Sequence, residues 1–260
     1  MKEKIYQSMI ELTNGRWSSS LIKGFAQSNL SKKIIPAYMK HFNIDPSEMP
    51  CHLHEFSTLH DFFVRPLKQN SRNIDPAVNG IISPVDATIE TFGDITYDGI
   101  FHVKGKPYTL YDMLGSDKIG KEYEKGKFII LYLSPAEYHR IHSPIDGKVT
   151  RQYVLGKKSY PVNKWGLAYG KETISGNYRL LTELLMPNEK RCFHIKVGAM
   201  FVNSIELTNR ELEWKKGEEV GYFSFGSTVV LLFEEDSIEF SREITPGKFI
   251  RMGERVANML

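Results

Sequence analysis

The densest cluster of reactive side chains in this 260-residue sequence is Tyr138-His139-Arg140-Ile141-His142-Ser143-Pro144, directly after the apolar run 128–133. Two imidazoles at the end of a buried strand suit general acid–base work, because histidine titrates nearest neutral pH. A His-x-x-His pair can also bind metal. Zinc would want further ligands, and Asp86, His194 or Cys192 could serve, although none stands at a recognisable metal spacing. The plainest reading is that both histidines only satisfy the hydrogen bonds of a turn.

Two aspartates occupy equivalent places in an internal echo. Ser83-Pro-Val-Asp86-Ala-Thr-Ile and Ser143-Pro-Ile-Asp146-Gly-Lys-Val match in form, 60 residues apart. Ser-Pro-x-Asp reads as a turn leading into a strand, with proline fixing φ and aspartate bonding back to the backbone. At least one aspartate can be only a turn residue. The other could orient a histidine and stabilise its imidazolium form, as buried carboxylates do in hydrolase triads. A third feature is Phe225-Gly226-Ser227-Thr228, set between two apolar runs. Gly-Ser-Thr arises by chance in roughly one chain in fifteen of this length. Taken singly it reads as a tight hairpin turn, and its other reading is a peptide bond that the following hydroxyl can attack.

The elements that must position these residues follow from the pattern. From residue 81 onward, short β-type runs are punctuated by glycine and proline: 88–92, 128–133, 148–154, 193–197, 201–206, 220–225, 229–234 and 248–252. Short helices are predicted at 51–63 and 110–114. The fold class is α+β: an N-terminal helical region packed on a mainly antiparallel β core with two related halves. Residues 1–44 carry seven basic against two acidic groups, a local net of +5, which leaves 27 basic and 29 acidic groups, a net of −2, for the rest. Their apolar residues fall at helical spacing (Ile5, Met9, Leu12; Leu21, Ile22, Phe25; Ile34, Ile35, Tyr38, Met39), with Ser18–Ser20 as a cap and Pro36 as an interruption or restart. Such a stretch can lie on anionic lipid, while composition alone favours a helical layer with solvated lysines. An aromatic content of 12% with a net charge of +3 excludes a disordered chain, and no apolar run approaches the roughly 20 residues of a membrane span. No apolar signal segment opens the sequence, and two cysteines make no disulfide framework.

In order and together, these elements resemble the phosphatidylserine decarboxylase family, which is pyruvoyl-dependent and self-processing. The resemblance runs through Phe62-Phe-Val-Arg65, Ser83-Pro-Val-Asp86, Val103-Lys-Gly105 with Tyr108, Tyr138-His-Arg-Ile-His142-Ser-Pro144, Val197-Gly-Ala199 with Ser204-Ile205, and Phe225-Gly-Ser-Thr228. Ala87 stands where the family usually has glycine, and Phe225 where leucine or glycine is commonest.

The resemblance implies that Ser227 attacks the Gly226 carbonyl, dividing the chain into β (1–226) and α (227–260) with an N-terminal pyruvoyl group made from Ser227. It implies His142 as the base, Asp86 as its orienting group, and His139 as the residue of decarboxylation itself. There a substrate amine condenses with the pyruvoyl carbonyl, CO₂ departs into the Schiff base, and the α-carbon is reprotonated. Losing CO₂ from an amino acid leaves a carbanion for which no ordinary side chain is an electron sink, hence the made carbonyl. It further implies phosphatidylserine in an anionic membrane as substrate, phosphatidylethanolamine as product, a homodimer of αβ units, no metal and no nucleic acid. Residues 1–65 become a membrane-associating region, with Trp17, Phe25 and Tyr38 as insertion candidates, and 66–260 the catalytic domain, peripheral on the cytoplasmic side of the cell membrane. The competing readings are a pyruvoyl decarboxylase of a soluble amino acid, a barrel-sandwich carrier or phosphorelay module using His139 or His142, and a zinc hydrolase.

Overall fold

A computed structural model of the chain describes residues 21, 23–157, 160, 173–199, 205–224 and 227–260. The first helical segment, the serine cap of the second, Trp17, the beginning of the 201–206 run, and Phe225 and Gly226 lie outside these residues.

The N-terminal part is helical. A 3₁₀ turn, Asn29–Ile34, runs into α1 (Ile35–Phe42), which Pro36 opens and Asn43 closes in the left-handed conformation. Two short 3₁₀ turns follow, Pro46–Glu48 and Leu53–Glu55, and then α2 (Leu59–Phe63). The helix predicted over 51–63 is thus two pieces. Phe56 is extended, and Thr58 starts afresh by accepting the Asp61 N–H at 3.0 Å. Ile35, Ile44, Met49, Phe56, Leu59 and Phe62 form a small core of their own.

The remaining elements, in chain order, are β1 (Gly80–Ile82), β2 (Ala87–Asp94), β3 (Ile100–Val103), β4 (Lys106–Thr109), α3 (Leu110–Leu114) and α4 (Asp117–Lys121). There follow β5 (Lys127–Leu133), β6 (Arg140–His142), β7 (Gly147–Leu155), β8 (Arg179–Leu185), β9 (Arg191–Gly198) and β10 (Ile205–Leu207). Last come β11 (Glu213–Trp214), β12 (Glu219–Phe223), β13 (Ser227–Phe233), β14 (Ile238–Phe240), β15 (Phe249–Ile250) and β16 (Arg255–Met259). Eight strands make one antiparallel sheet in the order β11-β7-β8-β9-β13-β5-β2-β15, flanked by the three-stranded sheets β1-β16-β14 and β10-β12-β6. At its centre β13 is bonded to β5 and β9 on its two sides. These strands are covered on both faces, which is why they read as continuous apolar runs. Leu131, Val229 and Leu231 face a core with Trp214 and Phe223; Ile130, Val230 and Leu232 face one with Phe101 and Tyr123.

The echoed turns build a pseudo-two-fold. Ile82 N–H donates to the Pro144 carbonyl at 3.0 Å, and His142 N–H to the Pro84 carbonyl at 2.9 Å. Ser83 exchanges backbone bonds with the Gly253–Glu254 turn as Ser143 does with Gly217–Glu218. Gly217 and Gly253 both have φ in the left-handed region (80° and 95°), and a Cβ on Gly253 would stand 2.4 Å from the Asn73 carbonyl oxygen. One consequence is functional: His142 occupies in one half the place that buried Ile82 holds in the other.

Candidate active site

His139 sits just before β6 and His142 ends it. Arg140 between them fixes the strand, bonding the Val64 carbonyl at 2.9 Å and both Glu219 carboxylate oxygens at 2.9 Å. The His139 side chain is wholly buried, with Nδ1 2.8 Å from the Glu137 carbonyl. A carbonyl only accepts, so the proton is on Nδ1 and Nε2 carries the lone pair. That Nε2 is buried and has no hydrogen-bond partner among the described residues. The Phe63 ring lies over the imidazole, centroid to centroid 3.9 Å. Burial pushes the His139 pKa down to about 3; the Glu137 carbonyl opposes this, and the Arg65 charge adds to it. At neutral pH His139 is therefore a neutral base.

His142 has the same tautomer by the same logic. Nδ1 donates to the Gly217 carbonyl at 2.8 Å, and Nε2 lies 3.0 Å from the Tyr138 hydroxyl. Burial lowers its pKa, while the Gly217 carbonyl and the charges of Glu219 and Asp86 raise it. Asp86 acts on His142 through its field; both ring nitrogens are bonded elsewhere. The Asp86 carboxylate itself accepts the Met252 N–H at 2.8 Å and is gripped by Arg72, whose Nε lies 2.9 Å from Oδ1 and whose terminal nitrogen holds Oδ2. Arg72 in turn binds both Glu48 oxygens, at 2.9 and 2.8 Å. Asp146, its counterpart, is exposed and bonds the Lys216 N–H at 2.9 Å.

Ser227 begins β13, opposite Leu133 of β5 and Gly198 of β9. It is wholly buried and its Oγ has no partner among the described residues. An unsatisfied buried hydroxyl costs about 1–3 kcal/mol, a cost tolerated where the group has chemistry to do. The chain brings serine and histidine to one place by two routes. Leu133, paired with Ser227, leads within six residues to His139, and Phe223, four residues before Ser227, donates its N–H to the His139 carbonyl at 3.0 Å.

The other metal-ligand candidates lie elsewhere in purpose: His194 packs edge-on to Trp214 in the core of β9, and Cys192 is buried on the same strand. Among the described residues no three His, Cys, Asp or Glu side chains converge as a metal site requires. Sequence reasoning missed four neighbours. Tyr138 and Arg65 were inside quoted motifs without a role, Phe63 likewise, and Arg72 carried no signal, because it reaches Asp86 across 14 residues whose only regular element is the three-residue β1.

A β core that carries a buried His-x-x-His pair at β6 and a buried serine at the head of β13 has the groups of an enzyme site. The model of the phosphatidylserine decarboxylase family matches residues 59–258, and the chain belongs to that family of carboxy-lyases. It is 50% identical over 257 residues to the phosphatidylserine decarboxylase proenzyme of Bacillus mycoides (strain KBAB4), covering 99% of this chain and 98% of the relative. It is also 50% identical to the proenzyme of the same name from Bacillus thuringiensis subsp. konkukian (strain 97-27), covering 100% and 99%.

Proposed function

We propose that this chain is a proenzyme that cuts itself between Gly226 and Ser227 and then converts phosphatidylserine to phosphatidylethanolamine and CO₂. The observation that carries the reading is the buried Oγ of Ser227, without a partner among the described residues, at the head of a strand whose pairing leads back to the segment of His139 and His142.

In the first step His142 Nε2 takes the Ser227 hydroxyl proton and Oγ attacks the Gly226 carbonyl carbon. The C–N bond breaks, the nitrogen takes a proton, and an ester joins Gly226 to Ser227. Removal of the Ser227 Cα proton then expels the Gly226 carboxylate, and water replaces the nitrogen, which leaves as ammonia. The residue so formed bears a ketone carbonyl, which supplies an electron sink to a substrate amine. Asp86, held by Arg72 and Met252, favours the imidazolium form of His142 during this step. His139 Nε2, open in the neutral ring, then relays a proton from solvent to the substrate α-carbon. The exchange of roles has one observation on its side: His139 Nε2 is free whereas His142 Nε2 meets Tyr138. Self-cleavage of His139→Ala and His142→Ala precursors decides it, since only loss of the base leaves an uncut chain.

After cleavage the two chains stay together, because β13 belongs to the α chain while β5 and β9, bonded along both its sides, belong to the β chain. A lipid substrate is favoured over a soluble amino acid by the N-terminal segment, where Leu21, Phe25 and Leu30 are exposed (74%, 47% and 67%) among Lys23, Lys32 and Lys33. Tyr38 does not share that role: it packs on Phe42 and Phe62 and its hydroxyl bonds the Pro135 carbonyl at 3.0 Å. No helix among the described residues is long and apolar enough to cross a membrane, and the proposal is peripheral binding to the cytoplasmic leaflet. Release of CO₂ from phosphatidylserine vesicles by the purified, cleaved protein tests the reading; cleaved protein without it contradicts the substrate assignment.

A further inference from the structure

The Phe62-Phe63-Val64-Arg65 segment divides its side chains between two neighbours. Phe63 lies on His139, and Phe62 lies under the Arg65 guanidinium, 4.9 Å from ring centroid to Cζ. Arg65 and His139 hang from consecutive carbonyls: Arg65 bonds that of Ala136 at 3.4 Å, and His139 that of Glu137 at 2.8 Å.

Arg65 is 5% exposed and lacks a counter-ion. Its other bond among the described residues is to the Phe62 carbonyl at 3.1 Å, so two carbonyls there serve a group with five N–H donors. Among the described residues no carboxylate comes within 4 Å of it, whereas Arg72 has Glu48 and Asp86, Arg140 has Glu219 and Arg255 has Asp75. A cation buried without an anion is costly; Arg179, also buried without a carboxylate, is met by the carbonyls of Met113, Ser175, Asn177 and Asp112, whereas Arg65 has two and keeps donors to spare for an anion.

Arg65 lines a cleft of about 160 Å³ shared with Arg72, Arg251 and Tyr138, the residue before His139. The acids around that cleft reach Arg65 only through their field: the charges of Asp86 and Glu48 oppose the burial that lowers its pKa, and neither bonds it. Glu48 and Asp86 are held by Arg72, Asp45 caps Ser47, and burial raises the Glu137 pKa toward its neutral form.

We propose that Arg65 receives the phosphodiester of the lipid headgroup and thereby sets where the serine amine and carboxyl fall relative to Ser227 and His139. This rests on the decarboxylase reading above. The planar fork of arginine matches phosphate oxygens in pairs. The phosphodiester keeps its charge throughout the reaction, so holding it costs nothing in the transition state. A cation on the departing carboxylate would stabilise the ground state more and slow the loss of CO₂. A cleft of this size takes a headgroup and leaves the acyl chains outside.

The test uses full-length protein with self-cleavage as the sign of a folded site. Phosphatidylserine turnover in mixed micelles is measured for wild type, Arg65→Gln and Arg65→Lys. Two competitors are compared: glycerophosphoethanolamine, which has the phosphodiester and no carboxylate, and L-serine, which has the carboxylate and no phosphate. Cleaved Arg65→Gln should show KM raised about tenfold or more with kcat much less affected, and glycerophosphoethanolamine inhibition weakened to match. L-serine inhibition should not change, and Arg65→Lys should fall between. KM and inhibition within about twofold of wild type in the cleaved variant overturn the proposal, as does weakening confined to L-serine, which would put the carboxylate on Arg65. Should Arg65→Gln fail to cleave, Arg65→Lys is judged by the same criteria. Calorimetric titration of glycerophosphoethanolamine into the uncut Ser227→Ala chain needs neither cleavage nor turnover. Saturable binding that Arg65→Lys weakens supports the site, and absence of binding refutes it. A cleaved wild type without lipid turnover counts against the decarboxylase reading, leaving that titration to judge the anion site.

Discussion

Asp86 and Asp146 each accept a backbone N–H from the loop packed on its own turn, Asp86 from Met252 at 2.8 Å and Asp146 from Lys216 at 2.9 Å, and Asp86 alone also binds an arginine. The repeat therefore supplies the turn twice and the functional charge once. Burial and Arg72 separate the two.

That asymmetry gives the first expectation. Asp86→Asn should slow self-cleavage about ten- to a hundredfold, less than the roughly 10⁴ seen when an aspartate bonds the catalytic histidine directly. Asp146→Asn should cleave at nearly the wild-type rate. Gel time courses of freshly synthesised chains measure both, and equal rates for the two variants would remove Asp86 from the chemistry.

Phe63 is expected to matter more to turnover than to cleavage. Phe63→Ala opens a cavity against the His139 ring and should cost about 3–5 kcal/mol of stability. A chain that survives should cleave yet turn over slowly, and Phe63→Tyr should recover most of the rate. The midpoint of urea unfolding and the turnover number check the two parts separately.

His139 should stay neutral between about pH 5 and 8, because its folded pKa is pushed to about 3. The unfolded chain takes up that proton near pH 6.5, so the unfolded state binds more protons below that value. The His139 contribution is fully present above about pH 6.5 and is lost as pH falls toward 3. Imidazole NMR signals that titrate near pH 6.5 for His139 would contradict this, as would an acid limb of stability unchanged in His139→Gln.

Truncation should separate membrane binding from chemistry if the cut is placed correctly. Removing residues 1–40 would take away Ile35 and Ser31, and the buried Ser31 hydroxyl accepts the Leu59 N–H at 2.8 Å to hold α2 in place. A cut before Phe25 removes Lys2, Lys4, Arg16 and Lys23, each contributing about 1 kcal/mol near an anionic surface, and spares those contacts. The shortened chain should cleave normally and co-float more weakly with anionic vesicles. Undiminished flotation would place the anchor elsewhere.

Strands of both kinds were legible: the fully buried runs 128–133 and 229–234 match β5 and β13 within two residues, the alternating run 148–154 matches β7 within one, and helix 110–114 matches α3. What escaped was short or mixed. β6 holds His139's neighbours in three residues, and β8 carries Thr182 and Glu183 inside its apolar run, so neither showed a clean period. The site residues could be named because reactive types cluster in motifs. Their supports could not, since Arg72 and Phe63 reach the site through tertiary packing that spacing does not encode.

The central claim is that the backbone opens at Ser227, and intact-mass spectrometry of protein purified under native conditions tests it most directly. The account predicts one co-eluting species that denaturation resolves into residues 1–226 and 227–260, the smaller blocked at its N-terminus by a pyruvoyl group, with Ser227→Ala uncut. A single uncut chain of 260 residues that releases CO₂ from phosphatidylserine would contradict it.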